Sequence, residues 1–202
     1  MDNAVALVRS YLHVNGYFTV TEYPVLEAAS NHGHQMKTDV DVLAMRFPGA
    51  GRRILRDDTE RFESDPALSV PTDGPDMIVG EVKEGRARLN KNTTDPRVLA
   101  AVLVRFGCCK AEVAPSLARR LARQRRADLP NGHRIRLVVF AGQSDGERTS
   151  SGTVVTLGHV VRFLKDHLDE HWDVLRHAQL KDPALGFLAT VQKARRLSPA
   201  SD

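Results

Sequence analysis

Residues 77–83 read Met77-Ile78-Val79-Gly80-Glu81-Val82-Lys83, and residues 37–43 read Lys37-Thr38-Asp39-Val40-Asp41-Val42-Leu43. Both segments read as strands, and both carry charges at alternate positions, where a half-buried strand has no structural need of them. Side chains two apart on a strand share a face, so Glu81 and Lys83 point together, as do Asp39 and Asp41. Ile78, Gly80 and Val82 take the reverse face, where Gly80 either leaves room for a closely packed helix or marks a bulge. With the two strands side by side, one face gathers Asp41, Glu81 and Lys83. Clustered carboxylates repel one another unless a cation lies between them, and oxygen ligands suit Mg²⁺ or Mn²⁺, which keep several waters and accept a phosphate oxygen. Such an ion polarises a phosphate and acidifies a bound water. A lysine beside it orients that water or neutralises charge developing on the phosphate. A surface strand laced with ion pairs, Lys83 with Glu81 or Glu84 and Asp39 with Lys37, meets the same spacing.

Working outward, Asp2 or Asn3 caps a helix with apolar residues at Ala4, Leu7, Val8, Tyr11 and Leu12, which Asn15-Gly16 stops. Residues 17–25 and 38–47 read as strands, with a polar loop at 31–35 between them. Residues 48–75, holding four prolines and three glycines, read as an insertion with a short helix near 57–63. Asp95-Pro96 starts a helix that ends at Gly107, and Pro115 begins an arginine-rich one. Residues 134–141 form a strongly apolar strand and 152–155 a weaker one. Thr156 and Asp182-Pro183 start the last two helices. The pattern predicts an α/β or α+β arrangement around one sheet.

The 202 residues suffice for one domain with a full core, and the 42% apolar and 27% charged fractions exclude wholesale disorder. The net charge of +4 is concentrated: residues 105–126 carry seven basic side chains against Glu112 alone. Arg119, Arg120, Arg123 and Arg126 in that stretch are the candidate nucleic-acid contacts, with Arg52, Arg53 and Arg56 as additional ones. Adjacent Cys108 and Cys109 cannot form an ordinary disulfide and read as free thiols. No apolar run approaches the roughly 18 residues of a membrane span, and Met1-Asp2-Asn3 opens no signal peptide. The chain therefore reads as soluble and cytoplasmic, without a membrane partner and with a homodimer left open.

An acidic residue late in one strand, followed by Glu-x-Lys at the end of the next, resembles the PD-(D/E)XK nuclease superfamily. The order helix, three strands, helix, strand over roughly residues 1–141 is similar to that superfamily's core. The segment Asp39-Val40-Asp41-Val42-Leu43-Ala44 resembles the aspartate-bearing strand of archaeal Holliday-junction resolvases and related repair nucleases. The resemblance implies a restriction-endonuclease-like α/β fold, a central mixed sheet flanked by helices. Its nuclease-like core would span 1–157, with the insertion at 48–75, C-terminal helices at 158–197 packed on it and a frayed tail at 198–202. The implied activity is metal-dependent hydrolysis of phosphodiester bonds in DNA. Asp41, Glu81 and the backbone carbonyl of Val82 would bind Mg²⁺ (or Mn²⁺), and Lys83 would be catalytic with Asp41 and Glu81. Two departures stand out. Residues 4–14 lack the first-helix glutamate of many members, leaving Glu22 or Glu27 as replacement, and the insertion is long. A non-catalytic nucleic-acid-binding or assembly module on the same fold is the alternative.

Pro75-Asp76 spells the superfamily's "PD" just before Glu81, but an odd separation puts Asp76 and Glu81 on opposite faces of a regular strand, which favours Asp41 as the ligand. His167-Leu168-Asp169-Glu170-His171 matches an inverted zinc-peptidase pattern without the downstream glutamate it needs. A buried stripe of Leu164, Leu168, Trp172 and Leu175 would leave both histidines at its polar margin. His32-Gly33-His34 lacks partner cysteines, and Gly49-Ala50-Gly51 lacks the ending of a phosphate loop.

Overall fold

The apolar strand predicted at 134–141 has to be covered on both faces, and that requirement sets the layering. The computed structural model describes residues 2–28, 34–50, 64–129, 132–144 and 152–197. The expected helix at 57–63, the trio Arg52, Arg53 and Arg56, the pair His32-Gly33 and the tail at 198–202 lie outside them. The elements are α1 (Asn3–Val14), β1 (Phe18–Ala28), β2 (His34–Arg46), a 3-10 turn (Pro66–Leu68), β3 (Asp76–Arg86), α2 (Pro96–Arg105), α3 (Ala114–Gln124), β4 (Arg126–Asp128), β5 (Arg134–Gln143), β6 (Thr153–Thr156), α4 (Leu157–Glu170), α5 (Trp172–Leu175) and α6 (Pro183–Leu197).

The fold is α/β. Six strands form one mixed sheet in the order β1-β2-β3-β5-β4, with β6 also on β5. β1, β2 and β3 run antiparallel in succession, β3 and β6 lie parallel to β5, and β4 pairs antiparallel with the start of β5. One apolar layer joins the sheet to α1, α4 and α6 through Val42, Ile78, Val82, Val138, Phe140 and Leu164. The other joins it to α2 and α3 through Leu43, Val79, Leu137, Leu103 and Leu121. Burying each such leucine or valine stabilises by about 1.5–3 kcal/mol. No helix of the described residues is long and apolar enough to cross a membrane.

The local signals act as their chemistry requires. Asp2 accepts the Ala4 N–H at 2.7 Å and Asp95 the Arg97 N–H at 2.8 Å, each capping a helix. Gly16 and Gly107 follow their helices at φ +83° and +67°. On α3 the buried residues Ala114, Leu117, Ala118 and Leu121 follow a helical period, which turns Arg119, Arg120 and Arg123 outward.

Several expectations are corrected. Gln35 belongs to β2 rather than to a loop. β4 and α5 carry too little periodicity to be read: β4 is Arg-Ala-Asp, with Ala127 alone buried, and exists because β5 offers it an edge. A Cβ on Gly80 would approach the Phe140 ring and Val42 at 3.3 Å, so the glycine accommodates an aromatic side chain on the neighbouring strand instead of a helix. His167 is 2% exposed within the buried face of α4, not at its margin, because Val160, Leu164, His167 and Leu168 together continue the helical stripe. Trp172 starts α5 and is half-buried beneath the Arg196 guanidinium, 5.0 Å from its ring centre, instead of lying in the core.

Two buried acids tie the layers together. Asp76, 1% exposed, accepts Arg136 Nε at 2.9 Å, Arg136 Nη2 at 2.7 Å and the Tyr17 hydroxyl at 2.5 Å. Burial and the Asp76 charge push the Tyr17 phenol well above its ordinary pKa. Asp65 accepts the Tyr11 hydroxyl at 2.7 Å and bonds His159 Nε2 at 2.6 Å, while its own N–H donates to Asn15 at 2.7 Å. The C-terminal part of the insertion is thereby tied to α1 and α4. Removing one member of a buried pair leaves an uncompensated charge, so Arg136→Met is expected to cost about 3–5 kcal/mol of unfolding free energy by urea titration. Arg136→Met with Asp76→Leu is expected to cost far less than the two single changes added together.

Candidate active site

The β2–β3 ladder runs from Arg46 opposite Asp76 to Val42 opposite Gly80 and stops there. Just beyond it, the Val82 N–H, two residues past Gly80, donates to Asp41 Oδ2, one residue before Val42, at 2.7 Å. The aspartate thus stands against the residue between Glu81 and Lys83. In an extended strand the N–H and C=O of one residue leave by the same edge, so the Val82 carbonyl also faces this gap.

The strand is irregular at this point. Val40 and Leu43 both pack under α2 and α3 while Val42 packs under α1 and α4. Regular alternation would put Val40 and Leu43 on opposite faces, so β2 turns at Asp41. Across from it on β1, Glu22 sits between the Thr21–Val42 and Tyr23–Val40 pairs with φ +53°, a left-handed conformation. A non-glycine residue there is uncommon and points to a local constraint.

Glu81 is 3% exposed; its Oε1 lies 2.6 Å from Lys83 Nζ and its Oε2 accepts the hydroxyl of Thr93 in the loop before α2. The Lys83 side chain is 39% exposed and caps the pair from the solvent side. Of the two pairings the sequence allowed for Lys83, the one with Glu81 is present. Asp76 faces Tyr17 and Arg136 instead, consistent with the parity argument that removed it.

Asp41 lines a cleft of about 260 Å³ with Glu22, Asp39, Val82, Lys83 and Glu84, roofed by the start of α1. Burial, and next the negative charge of Glu81, hold the Asp41 carboxyl above its usual range against the Val82 N–H and Lys83, which pull it down. Glu22, one of the two substitutes considered for the missing helix glutamate, lines this cleft. The sequence carried no signal for that placement, because it rests on how β1 lies across β2.

The donor set is all oxygen, which fits Mg²⁺ or Mn²⁺ and not zinc. Among the described residues no group of three or more His, Cys, Asp or Glu side chains is gathered for a metal, here or at His167 and His171. The histidine rings stack edge to face at 4.9 Å with no third ligand. Magnesium sites need only one or two carboxylates, with water and phosphate oxygens completing them.

The arginine helix is elsewhere. Arg120 reaches Asp128, β4 pairs Asp128 with Arg134, and Arg134 lies opposite Asp76 at the start of β3. Lys83 is seven residues further along β3, roughly 23 Å at the rise of a strand. Arg119, Arg120, Arg123 and Arg126 are all exposed, and Arg120 and Arg126 sit by the start of β5, away from Lys83.

Because folding raises the Asp41 pKa, the contribution of Asp41 to stability falls as pH rises from the ordinary carboxylate value of about 3.9 through the raised one, and stays lower above it. Asp41→Asn keeps an acceptor for the Val82 N–H without the charge. It is expected to melt above wild type at pH 7 in EDTA, the gap closing as pH drops below that window. Millimolar Mg²⁺ is expected to raise the wild-type melting temperature more than that of Asp41→Asn, and equal shifts would remove Asp41 from the ligand set.

Comparison of the chain with protein-family models, with curated proteins and with solved structures finds no match, which leaves the geometry around Asp41, Glu81 and Lys83 as the ground for a functional reading.

Proposed function

We propose that this chain is a metal-dependent nuclease of the PD-(D/E)XK type, with a restriction-endonuclease-like core, that hydrolyses phosphodiester bonds in DNA. The observation carrying the reading is the hydrogen bond from Val82 to Asp41, which joins an acidic residue of one strand to the centre of the Glu81-Val82-Lys83 triplet of the next. It lies toward the C-terminal ends of the parallel strands β3 and β5, where open α/β sheets bind ligands.

Asp41, Glu81 and the carbonyl of Val82 would hold the Mg²⁺ or Mn²⁺. When bound, that ion supplies neutralisation of the phosphate and an acidified water. Thr93 fixes the Glu81 carboxylate and the Val82 N–H fixes that of Asp41, so both acids are oriented before substrate arrives. Lys83 Nζ, released from Glu81, donates to a non-bridging phosphate oxygen or holds the attacking water.

A second reading, a non-catalytic nucleic-acid-binding or assembly module, draws on Glu81 itself: a carboxylate this buried and already bound by Lys83 and Thr93 has its partners without a metal. Incubation with duplex, single-stranded and branched DNA in Mg²⁺, Mn²⁺ or EDTA separates the two. Cleavage is expected to require the metal and to fall at least about 100-fold in Asp41→Ala, Glu81→Ala and Lys83→Ala. Cleavage that survives Glu81→Ala would falsify the site assignment, and tight binding without cleavage in any metal favours the second reading.

A further inference from the structure

Lys83 borders two unlike surfaces. On one side is the cleft of Asp41, Glu22, Asp39 and Glu84. On the other are two adjoining grooves, of about 710 Å³ along Arg88, Leu89, Asn90, Lys91 and Asn92, and of about 400 Å³ along Gly85, Arg86, Ala87 and Arg88. Residues 85–92 hold three cations and neither an acid nor an aromatic side chain. The side chains of Arg86, Arg88 and Lys91 are exposed and form no ion pair or hydrogen bond among the described residues, whereas that of Arg120 on α3 reaches Asp128.

The loop is built rather than loose. The Ala87 N–H donates to the Gln143 carbonyl at 3.0 Å, the Asn92 N–H to the Asn90 side chain at 3.1 Å, and the Asn92 amide to the Lys37 carbonyl at 3.4 Å. The Thr94 and Asp95 N–H groups close turns onto Asn90 and Asn92 at 3.2 and 3.0 Å. Thr93, from the same loop, holds Glu81. Cations fixed on a pinned backbone lose less freedom on binding than cations on a free chain.

We propose that residues 85–92 form a track for the phosphate backbone of a nucleic acid, with Arg86, Arg88 and Lys91 as its contacts, leading the chain to Lys83. The polyanion approaches over this loop in preference to α3. The acids beyond Lys83 repel a polyanion, so the backbone is drawn up to Lys83 and not past it. Without an aromatic platform, the track's cations meet the phosphates first, which positions the chain. The choice of a nucleic acid rests on the nuclease reading; the location of the track rests on the charges and cavities of this loop.

The test is equilibrium binding of the full chain to fluorescent duplex and single-stranded oligonucleotides in EDTA, where no metal-dependent cleavage intervenes, over a series of salt concentrations. Replacing Arg86, Arg88 and Lys91 together with Gln is expected to weaken binding at least about tenfold. The log–log salt slope should flatten by about 2–3, each lost phosphate contact accounting for about 0.9 on duplex and about 0.7 on single strands. Arg88→Lys, which keeps the charge, is expected to keep the slope, and replacing Arg119, Arg120 and Arg123 with Gln is expected to cost less affinity than the loop variant. The loop variant is compared at an unchanged melting temperature, and Arg88→Gln alone, flattening the slope by about one contact, serves where the triple variant is destabilised. Unchanged affinity and slope in the loop variants, or a larger loss in the α3 variant, overturns the proposal. If wild type cleaves DNA while the loop variants bind normally, the track fails and the nuclease stands. If the loop variants lose binding while wild type cleaves nothing in any metal, the nuclease fails and the track stands. If wild type binds neither oligonucleotide, the track fails outright.

Discussion

Where β2 leaves β3, the Val82 N–H loses its backbone acceptor and the Asp41 carboxylate takes its place. A donor buried without a partner costs about 1–3 kcal/mol, so an acceptor at this point is close to obligatory. Supplying it from an aspartate brings a negative charge to a half-buried position beside Glu81, and the raised Asp41 pKa records the resulting stress. The turn of β2 between Val40 and Val42 and the left-handed backbone of Glu22 belong to the same local distortion. Part of the free energy of folding is thus committed to holding acidic oxygens together in a cleft.

β3 shows how one strand gives two acids opposite roles. Asp76 faces α1 and is closed in by Arg136 and Tyr17, an arrangement in which every oxygen is used within the fold. Glu81, an odd number of residues along, faces the other layer, where Thr93 and a half-exposed Lys83 meet it. The Asp76 pair can be exchanged only as a unit; the Glu81 pair has one partner that solvent reaches. That difference in access, more than any difference in residue type, separates a structural carboxylate from a candidate ligand.

Charge is divided across the same short distance. Lys83 borders both a cleft of acids and the end of β3 with its following loop, which together carry three cations. Of the basic stretch at 105–126, Arg120 and Arg126 sit by the start of β5, several residues along the sheet from Lys83.

Much of the architecture was legible in the sequence because it depends on short-range chemistry. Asp2, Asp95, Thr156 and Asp182 start helices by accepting nearby N–H groups, alternation of charged and apolar residues marks β2 and β3, and a continuous apolar run marks β5. Strand parity placed Glu81 with Lys83 and set Asp76 apart, since both follow from positions on one strand. Partners from separate elements could not be read this way. Thr93 as the holder of Glu81, Glu22 as the extra acid of the cleft, Phe140 as the neighbour of Gly80 and the burial of His167 each depend on contacts between elements. Sequence alone determined which residues could share a face, because the period of a strand or helix is a property of the local backbone. Tertiary structure decided which faces met: β4 exists because β5 presents an edge, and Asp41 reaches Val82 because two strands part after Gly80.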